Sequence, residues 1–475
     1  MKKVFSYLGG YKKEAVLAPL FKLLEACFEL AVPLVVAAIV DRGIGQGDRG
    51  YILGMFFVLI ALGAVGLAAA VTAQYFAAKA AVGHSTLLRR SLFEKMQSLS
   101  FAEVDQLGAA TMIARMTVDV NQVQTGVNMA LRLFLRSPFI VFGAMIMAFT
   151  VDVQAGIVFA VVIPVLSLVV ALIMGVTIPM YKKTQAKQDG LLLSVRENLT
   201  GVRVLRAFCK EKEEIAAFDK KNAALKKSQN AVGAISALMN PLTYAIINAG
   251  IIALLYVGAI RVDGGALTQG EVLALYNYMS QILVELIKLA NLIITVTKSL
   301  ACARRIERVF ELNNPLERSD DTAVHTGNAV DFENVALSYN GGGNALEGIT
   351  FSVKRGETVG VIGGTGSGKS SLVNLIARFY DATEGRVLVD GVDVRAQDTA
   401  ALREKVGMVL QKAVLFKGTI RENLRWGNEN ATDAELMRAV ETAQAADVVA
   451  AKGGLDGEIE QGGRNLSGGQ KQRLT

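Results

Sequence analysis

The chain has 475 residues, too many for one ordinary domain, and its net charge is +7. Hydrophobic residues make up 52% and charged residues 20%, and the positive surplus lies between and beside long hydrophobic runs. No basic stretch alternates with base-stacking aromatic residues, which argues against a nucleic-acid partner. Three widely spaced cysteines, Cys27, Cys209 and Cys302, argue against a disulfide framework.

The first part of the chain is dominated by segments long enough to cross a bilayer. A bilayer core requires about 20 apolar residues in a helix, and buried helices of soluble proteins are rarely so long and so uniformly apolar. We predict six spans, at residues 15–40, 51–80, 131–151, 153–180, 231–260 and 272–297. The protein is therefore expected to cross a cell membrane several times, in contact with lipid.

The connections between these spans alternate between short turns and long polar segments. Lysine and arginine concentrate at the N-terminus and in the long connections, residues 79–130 and 181–230. The positive-inside rule then predicts that the N-terminus, both long connections and the C-terminal domain are cytoplasmic. Because apolar residues in the second connection recur at helical spacing, the spans are expected to continue as helices beyond the bilayer.

A few charged residues fall inside the predicted spans. Glu25 and Glu29 share one helical face with Lys22, and Glu285 precedes Lys288 by three residues. A charge that faces lipid at mid-helix costs about 2.5–3.5 kcal/mol on insertion scales. We therefore expect these side chains to face other helices or a water-filled cavity. Two alternatives stay open, namely snorkelling near the membrane interface and a structural ion pair between Glu285 and Lys288.

The stretch "VGVIGGTGSGKSSLVNLIARF" contains the pattern G-x-x-x-x-G-K-[ST], from Gly363 to Ser370. A β-branched run at Thr358–Ile362 predicts a strand before this loop, and amphipathic spacing predicts a helix from Ser371. Backbone N–H groups of such a loop surround phosphate oxygens, while Lys369 reaches the β- and γ-phosphates and Ser370 coordinates Mg²⁺. The residues assigned to this ATP site are Gly363, Gly364, Thr365, Gly366, Ser367, Gly368, Lys369, Ser370 and Ser371.

Motifs around this loop resemble those of ATP-binding-cassette (ABC) exporters. "LSGGQ", from Leu466 to Gln470, matches the signature of that family, and "VGMVLQ" ends in Gln411 at the position of its Q-loop glutamine. Tyr339 stands where the family has an aromatic residue that stacks on adenine. "GAATMIARMTVDVNQV" and "ENLTGVRVLRAF" are similar to the two cytoplasmic extensions. Over nearly its whole length the chain resembles a half-transporter of the multidrug or lipid exporter type.

The resemblance implies that two such chains pair, as a homodimer or a heterodimer. Each ATP would then lie between the Walker A loop of one chain and the signature of the other, which comprises Leu466, Ser467, Gly468, Gly469 and Gln470. Tyr339 would stack on adenine, and Gln411 would join Ser370 at Mg²⁺. The implied activity is ATP hydrolysis coupled to export of a hydrophobic or amphipathic cargo (a small molecule, drug, lipid or peptide) by alternating access.

These observations predict a six-helix transmembrane domain at 1–312, a linker at 313–329 and an α/β P-loop nucleotide-binding domain at 330–475. The family's Walker B strand, catalytic glutamate and switch histidine follow the signature, and neither His84 nor His325 stands in the histidine's place. We therefore expect the domain to be incomplete at the C-terminus and the chain as given to be inactive. Two other interpretations remain: a catalytically silent ATP-binding subunit of a heterodimer, and an ATP-gated channel or regulator on the same scaffold.

Overall fold

A computed structural model of the protein describes residues 2–312, 327–339 and 342–475. The chain forms two compact units, the first comprising Met1–Ser98 with Leu107–Leu312 and the second comprising Leu99–Gln106 with Asn313–Thr475. Residues 313–326 of the predicted linker, which include His325, lie outside the described residues. A short segment between two long helices thus groups with the C-terminal unit.

The part of the chain before residue 313 is helical. Its helices are α1 (Lys2–Ser6), α2 (Lys12–Ala38), α3 (Arg49–Gln97), α4 (Phe101–Leu107), α5 (Ala109–Ala114), α6 (Val120–Leu133), α7 (Arg136–Val151), α8 (Val153–Thr200), α9 (Val202–Ala207), α10 (Glu211–Ala237), α11 (Met239–Asp263) and α12 (Gln269–Glu311). A 3-10 turn at Tyr7–Tyr11 and π-helical turns at Ile39–Ile44 and Arg115–Asp119 join some of them.

Six helical stretches of the described residues have the length and apolar composition to cross a membrane. They are Lys3–Ile44, Arg49–Gln97, Ala109–Val151, Val153–Thr200, Glu211–Asp263 and Gln269–Glu311. The prediction of six apolar helices is therefore confirmed. Helices α3 and α8 contain 49 and 48 residues. At 1.5 Å per residue each is about 70 Å long, more than twice the thickness of a bilayer core.

Two of the six stretches are interrupted just before a proline. Helix α7 begins at Arg136 and α11 begins at Met239, and each has a proline, Pro138 or Pro241, as its third residue. Proline lacks a backbone N–H, so it fits the first turn of a helix and disrupts an interior. The sequence thus explains where the third and fifth stretches break.

The core of the first unit lies where α2, α7, α8, α11 and α12 pack together. Phe159 of α8 and Ile282 of α12 are fully buried there. The Tyr278 hydroxyl is buried as well and donates a hydrogen bond to the Leu30 carbonyl over 2.6 Å. Because a buried hydroxyl without a partner is costly, this bond stabilises the packing of α12 on α2.

The second unit contains a four-stranded antiparallel sheet with the order β2-β1-β3-β4. Its strands are β1 (Asn328–Ser338), β2 (Asn344–Lys354), β3 (Glu384–Val389) and β4 (Val392–Asp393). Phe332 and Phe351 are paired across β1 and β2, and their rings stack with centroids 4.7 Å apart. A smaller pair comprises β5 (Gly418–Thr419) and β6 (Glu458–Ile459).

Helices accompany the sheet and form the last part of this unit. They are α13 (Lys369–Ile376), α14 (Thr399–Lys405), α15 (Ile420–Leu424), α16 (Asp433–Thr442), α17 (Ala446–Ala451) and α18 (Gly468–Arg473), with a 3-10 turn at Gln461–Gly463. Helices α15, α16 and α17 and strand β6 share a core that includes Ile420, Val440, Val448 and Ile459. The second unit therefore contains both strands and helices, as predicted.

One sequence prediction in this unit is wrong. Thr358–Ile362 was expected to form the strand before the glycine loop, but residues 357–364 belong to no helix or strand. The Ile362 side chain is 99% exposed. β-Branched residues favour a strand where a neighbouring strand pairs with the backbone and covers the side chains, and within residues 327–339 and 342–475 none pairs with this segment. The following helix begins at Lys369, two residues earlier than predicted.

Candidate functional site

The glycine loop ends at the N-terminus of α13. Gly366 and Gly368 both have φ of +84°, in the left-handed region that favours glycine. A Cβ at Gly368 would also lie 2.6 Å from the Ala345 carbonyl oxygen, so a side chain is excluded there for two reasons. The loop therefore turns sharply and presents backbone N–H groups at a helix N-terminus, an arrangement that suits an anion.

The ammonium group of Lys369 lies over this loop. Its Nζ donates hydrogen bonds of 2.7 Å to each of the Gly363 and Gly364 carbonyls. It also lies 3.4 Å from the Ser367 hydroxyl. A positive charge and the helix N-terminus thus converge on one small region, which fits the phosphate groups of a nucleotide. The neighbouring Ser370 side chain is exposed at the same place.

An aromatic residue borders the loop. The Tyr339 hydroxyl donates a 2.9 Å hydrogen bond to the hydroxyl of Ser371, in the first turn of α13. The Tyr339 ring meets the Tyr380 ring edge-on, with centroids 5.0 Å apart. The structure therefore brings Tyr339 next to the loop, although Tyr339 and Ser371 are 32 residues apart in the chain. The residue is 37% exposed, so part of it is accessible to a ligand.

Gln411 is not brought to the loop by any direct bond. It lies outside helices and strands, and its side chain is exposed. Within the described part of the second unit, no hydrogen bond joins Gln411 to Ser370 or Lys369. The proposed Mg²⁺ pair of Ser370 and Gln411 thus remains a prediction.

The signature residues begin α18. The Ser467 hydroxyl accepts a 3.3 Å bond from the Gln470 N–H, and the Gln470 side chain accepts a 2.9 Å bond from the Ser467 N–H. This reciprocal arrangement is a capping box. A Cβ added at Gly468 or Gly469 would meet no atom within 4 Å, so both backbones are open. Leu466 is buried beneath them.

Helix α18 is fixed to the rest of its unit. Arg473 donates a 2.9 Å hydrogen bond to the Asp447 carboxylate on α17. Leu474 is 3% exposed and belongs to the same core as Leu466. The signature is therefore held on both sides by buried leucines.

Helix α4 makes contacts with later residues of the second unit that were not predicted from the sequence. The Phe101 ring stacks on the Phe379 ring with centroids 4.4 Å apart, and the Arg403 guanidinium lies 5.3 Å from the Phe379 centroid. The Tyr380 hydroxyl donates a 2.5 Å hydrogen bond to the Asp105 carboxylate. Burial, together with this bond, raises the pKa of Tyr380 above its ordinary value. All of these residues belong to the second unit.

These contacts lie just before "GAATMIARMTVDVNQV", the stretch assigned to the first cytoplasmic extension. The sequence does contain a signal for the start of α4, although none for its contacts. Ser100 and Glu103 have the S-x-x-E spacing of a capping box, and the Glu103 carboxylate accepts a 2.9 Å bond from the Ser100 N–H. Tyr380 contacts both Asp105 and Tyr339, so one residue connects α4 with the edge of the glycine loop.

The charged residues predicted inside the spans converge on one arginine. Arg136 Nη2 donates to Glu29 and Nη1 to Glu285, each over 2.6 Å, and its Nε lies 3.9 Å from Glu25. Lys22 forms an ion pair with Glu25. Lys288 donates a 2.8 Å bond to Glu285. We call these six residues the charge cluster.

The ion pair between Glu285 and Lys288, which the sequence left open as an alternative, is therefore present. Glu285 also accepts a 2.8 Å bond from the Ser137 hydroxyl, and its side chain is 3% exposed. Glu29 and Lys288 additionally line a cavity in the first unit. Whether any of these side chains contacts a cargo stays a prediction. The sequence analysis assigned no role to Arg136, because its bridging position could not be read from the sequence.

Comparison with known proteins gives matches over both units. The family model for the ABC transporter transmembrane region matches residues 16–286, and the model for the ABC transporter domain matches residues 346–475. The two matched ranges thus include most of the first unit and the glycine loop with the signature.

Individual relatives agree with these matches. An uncharacterized ABC transporter ATP-binding protein of Mycobacterium tuberculosis is 34% identical over 477 residues, which covers 99% of this chain and 82% of the relative. The protein YfiB of Bacillus subtilis, with the same description, is 32% identical over 477 residues, covering 100% of this chain and 83% of the relative. An ATP-dependent lipid A-core flippase of Syntrophus aciditrophicus is 28% identical over 391 residues, covering 82% of this chain and 65% of the relative.

Proposed function

Since the chain belongs to the ABC transporter family, as an exporter-type half-transporter, we propose that it uses ATP to export an amphipathic cargo by alternating access in a dimer. The observation that carries this proposal is the convergence of Lys369 and the α13 N-terminus on the glycine loop. The six apolar helices supply the membrane part. A relative described as a lipid A-core flippase supports an amphipathic cargo.

The residues of the loop fit the phosphates of a nucleoside triphosphate. Lys369 and the loop N–H groups would bind the β- and γ-phosphates. Tyr339 would stack on the base. Ser370 and Gln411 would hold Mg²⁺. The metal ion would neutralise charge that develops on the phosphates during transfer. The exposed Gly468 and Gly469 backbones, with Ser467, would contact ATP bound to the second subunit.

We further propose that the N-terminus and the nucleotide-binding unit are cytoplasmic. The concentration of lysine and arginine in the long connections supports this orientation. Gln46 and Gln188 are both exposed and lie in a short and a long connection. In a variant without native cysteines, an impermeant thiol reagent outside the cell should label Gln46→Cys and spare Gln188→Cys. The reverse pattern would overturn the orientation.

The experiment that tests the proposed function measures nucleotide binding and transport together. Lys369→Ala should lose affinity for a fluorescent ATP analogue. Any ATP-dependent uptake of a lipid probe into inside-out vesicles that the wild type shows should also be lost in this variant. Lys354→Ala, which removes an exposed lysine of the same unit, is the matched control. Equal nucleotide affinity in the wild type and Lys369→Ala would contradict the assignment.

A further inference from the structure

The charge cluster borders a cavity of about 420 Å³ between α2 and α12. Its polar lining residues are Glu29, Asn277, Ser280, Gln281, Glu285 and Lys288. From α2 the same cavity receives the apolar side chains of Val32, Pro33 and Val36. Its volume lies within the range of small-molecule sites, and its lining combines charged and polar side chains with apolar ones, to which α12 adds Val284.

The cluster carries no net formal charge, because three carboxylates face three cations. Each of these groups forms an ion pair within the cluster. The side chains of Arg136 and Glu285 are only 7% and 3% exposed, so a ligand in the cavity has little access to them. Glu29 and Lys288 differ, with side chains 38% and 41% exposed. The cavity therefore offers a ligand one accessible carboxylate and one accessible ammonium group.

An unsatisfied acceptor lies at the same cavity. The Gln281 Oε1 atom is buried and has no hydrogen-bond partner among the described residues. A buried acceptor without a donor is costly by about 1–3 kcal/mol. A ligand that brings an N–H group would remove that cost once the Gln281 side chain rotates toward the cavity that it lines. Gln281 lies on α12 about two turns before Lys288, and it lines the same cavity as Glu29 of α2.

We propose that this cavity binds the zwitterionic head group of an amphiphile, a head that carries an ammonium and an anionic group. The ammonium pairs with Glu29 and donates to Gln281, the anionic group pairs with Lys288, and the apolar tail lies along Val32 and Val36. A purely cationic head would leave Lys288 facing a like charge, and a purely anionic head would do the same to Glu29. The inference rests on the proposed export function, whose cargo class it specifies.

The test measures the binding of three short-chain lipids that share dioctanoyl tails, using the full chain in nanodiscs. Their heads are phosphoethanolamine, which is zwitterionic, phosphoglycerol, which is anionic, and trimethylammonium, which is cationic. The wild type should bind the zwitterionic lipid at least about tenfold more tightly than either of the others, a difference of about 1.4 kcal/mol. Tail-free glycerophosphoethanolamine should bind more weakly than the lipid, and equal binding would show that the ligand is a soluble zwitterion and overturn the amphiphile proposal.

Charge-neutralising variants should change the order of preference. Glu29→Gln should favour the anionic lipid, and Lys288→Gln should favour the cationic one. Gln281→Met should weaken the zwitterionic lipid, whose ammonium has N–H donors, and leave the anionic lipid and the trimethylammonium lipid, which has no N–H, unchanged. The matched controls Glu197→Gln and Lys298→Gln alter exposed charges away from the cavity and should keep the wild-type order. Thermal unfolding of each variant checks its fold. If Glu29→Gln unfolds, Gln281→Met, which removes no charge, tests the head-group proposal in its place.

Equal binding of all three lipids by the wild type, or an unchanged order in folded variants, would overturn the inference. ATP-analogue binding is measured on the same samples. Normal ATP binding and transport without a head-group preference would refute only this inference. The expected head-group order without ATP binding would support the cavity and refute the proposed export function.

Discussion

The glycine loop and the charge cluster are built in opposite ways. The loop consists of nine consecutive residues, 363–371, and its charged group is bonded to backbone carbonyls five and six residues away. The cluster joins α2, α7 and α12, so that Arg136 bonds a carboxylate 149 residues away. A contiguous site is recognisable from its spacing, whereas a site assembled from distant helices becomes visible only when the helices are packed.

The two sites should also respond differently to substitution. The loop lies at the surface, so changing it should affect binding and leave stability almost unchanged. The cluster lies inside the first unit, so its central residues should affect stability before they affect cargo.

Removal of Glu285 should have the largest effect. Glu285→Leu leaves the buried guanidinium of Arg136 and the ammonium of Lys288 without their common partner. Breaking a buried ion pair costs about 3–5 kcal/mol, which should appear as a lower free energy of unfolding in detergent. Glu197→Leu, an exposed residue of α8, should change stability by well under that amount. A loss below about 1 kcal/mol for Glu285→Leu would mean that the cluster does not hold the helices together.

The lysine of the glycine loop should give the next largest effect, on binding alone. Lys369→Ala removes a charged hydrogen-bond donor, which is worth about 1.5–3 kcal/mol, so ATP affinity should fall by that amount. Titration with a fluorescent ATP analogue measures it. Unfolding in detergent should stay at the wild-type midpoint, and a large loss of stability would erase the contrast with Glu285.

The signature cap should show a smaller, local effect. Ser467→Ala removes the side-chain acceptor of the capping box at α18. Such caps are worth about 1 kcal/mol, so amide hydrogen exchange should accelerate in residues 468–473. Ser467→Asn keeps a capping oxygen and is the matched control. Equal exchange rates in the Ala and Asn variants would show that the cap does not stabilise the helix.

The smallest effect is expected at the contact between α4 and Tyr380. Tyr380→Phe removes the hydroxyl that bonds Asp105 and keeps the ring packed against Tyr339. Because this bond to a carboxylate is exposed to competing water, we expect it to contribute only about 0.5–1.5 kcal/mol. Amide exchange in residues 101–106 should rise by a matching factor while ATP affinity is unchanged. Asp105→Asn retains one acceptor oxygen and should have less effect. Unchanged exchange in Tyr380→Phe would show that the hydroxyl does not fix α4.

Sequence patterns predicted the features that depend on local order. Hydropathy placed the six apolar helices, because a bilayer-spanning helix needs a continuous run, and glycine spacing placed the loop from Gly363 to Ser370. The strand at Thr358–Ile362 was wrong because β-branching gives a preference, and a strand also needs a partner. The bridge by Arg136 and the bond from Tyr380 to Asp105 were missed since both join residues more than 100 positions apart.

The proposed alternating access requires that ATP at the glycine loop controls access to the cavity between α2 and α12. Ser280 lines that cavity and is half-buried, which makes it a suitable reporter. In a background without native cysteines, Ser280→Cys should react with an impermeant thiol reagent from the cytoplasmic side without nucleotide and from the outer side with ATP. The added substitution Lys369→Ala should abolish the change. Reaction of Ser280→Cys from the same side with and without ATP would contradict control of the cavity by ATP.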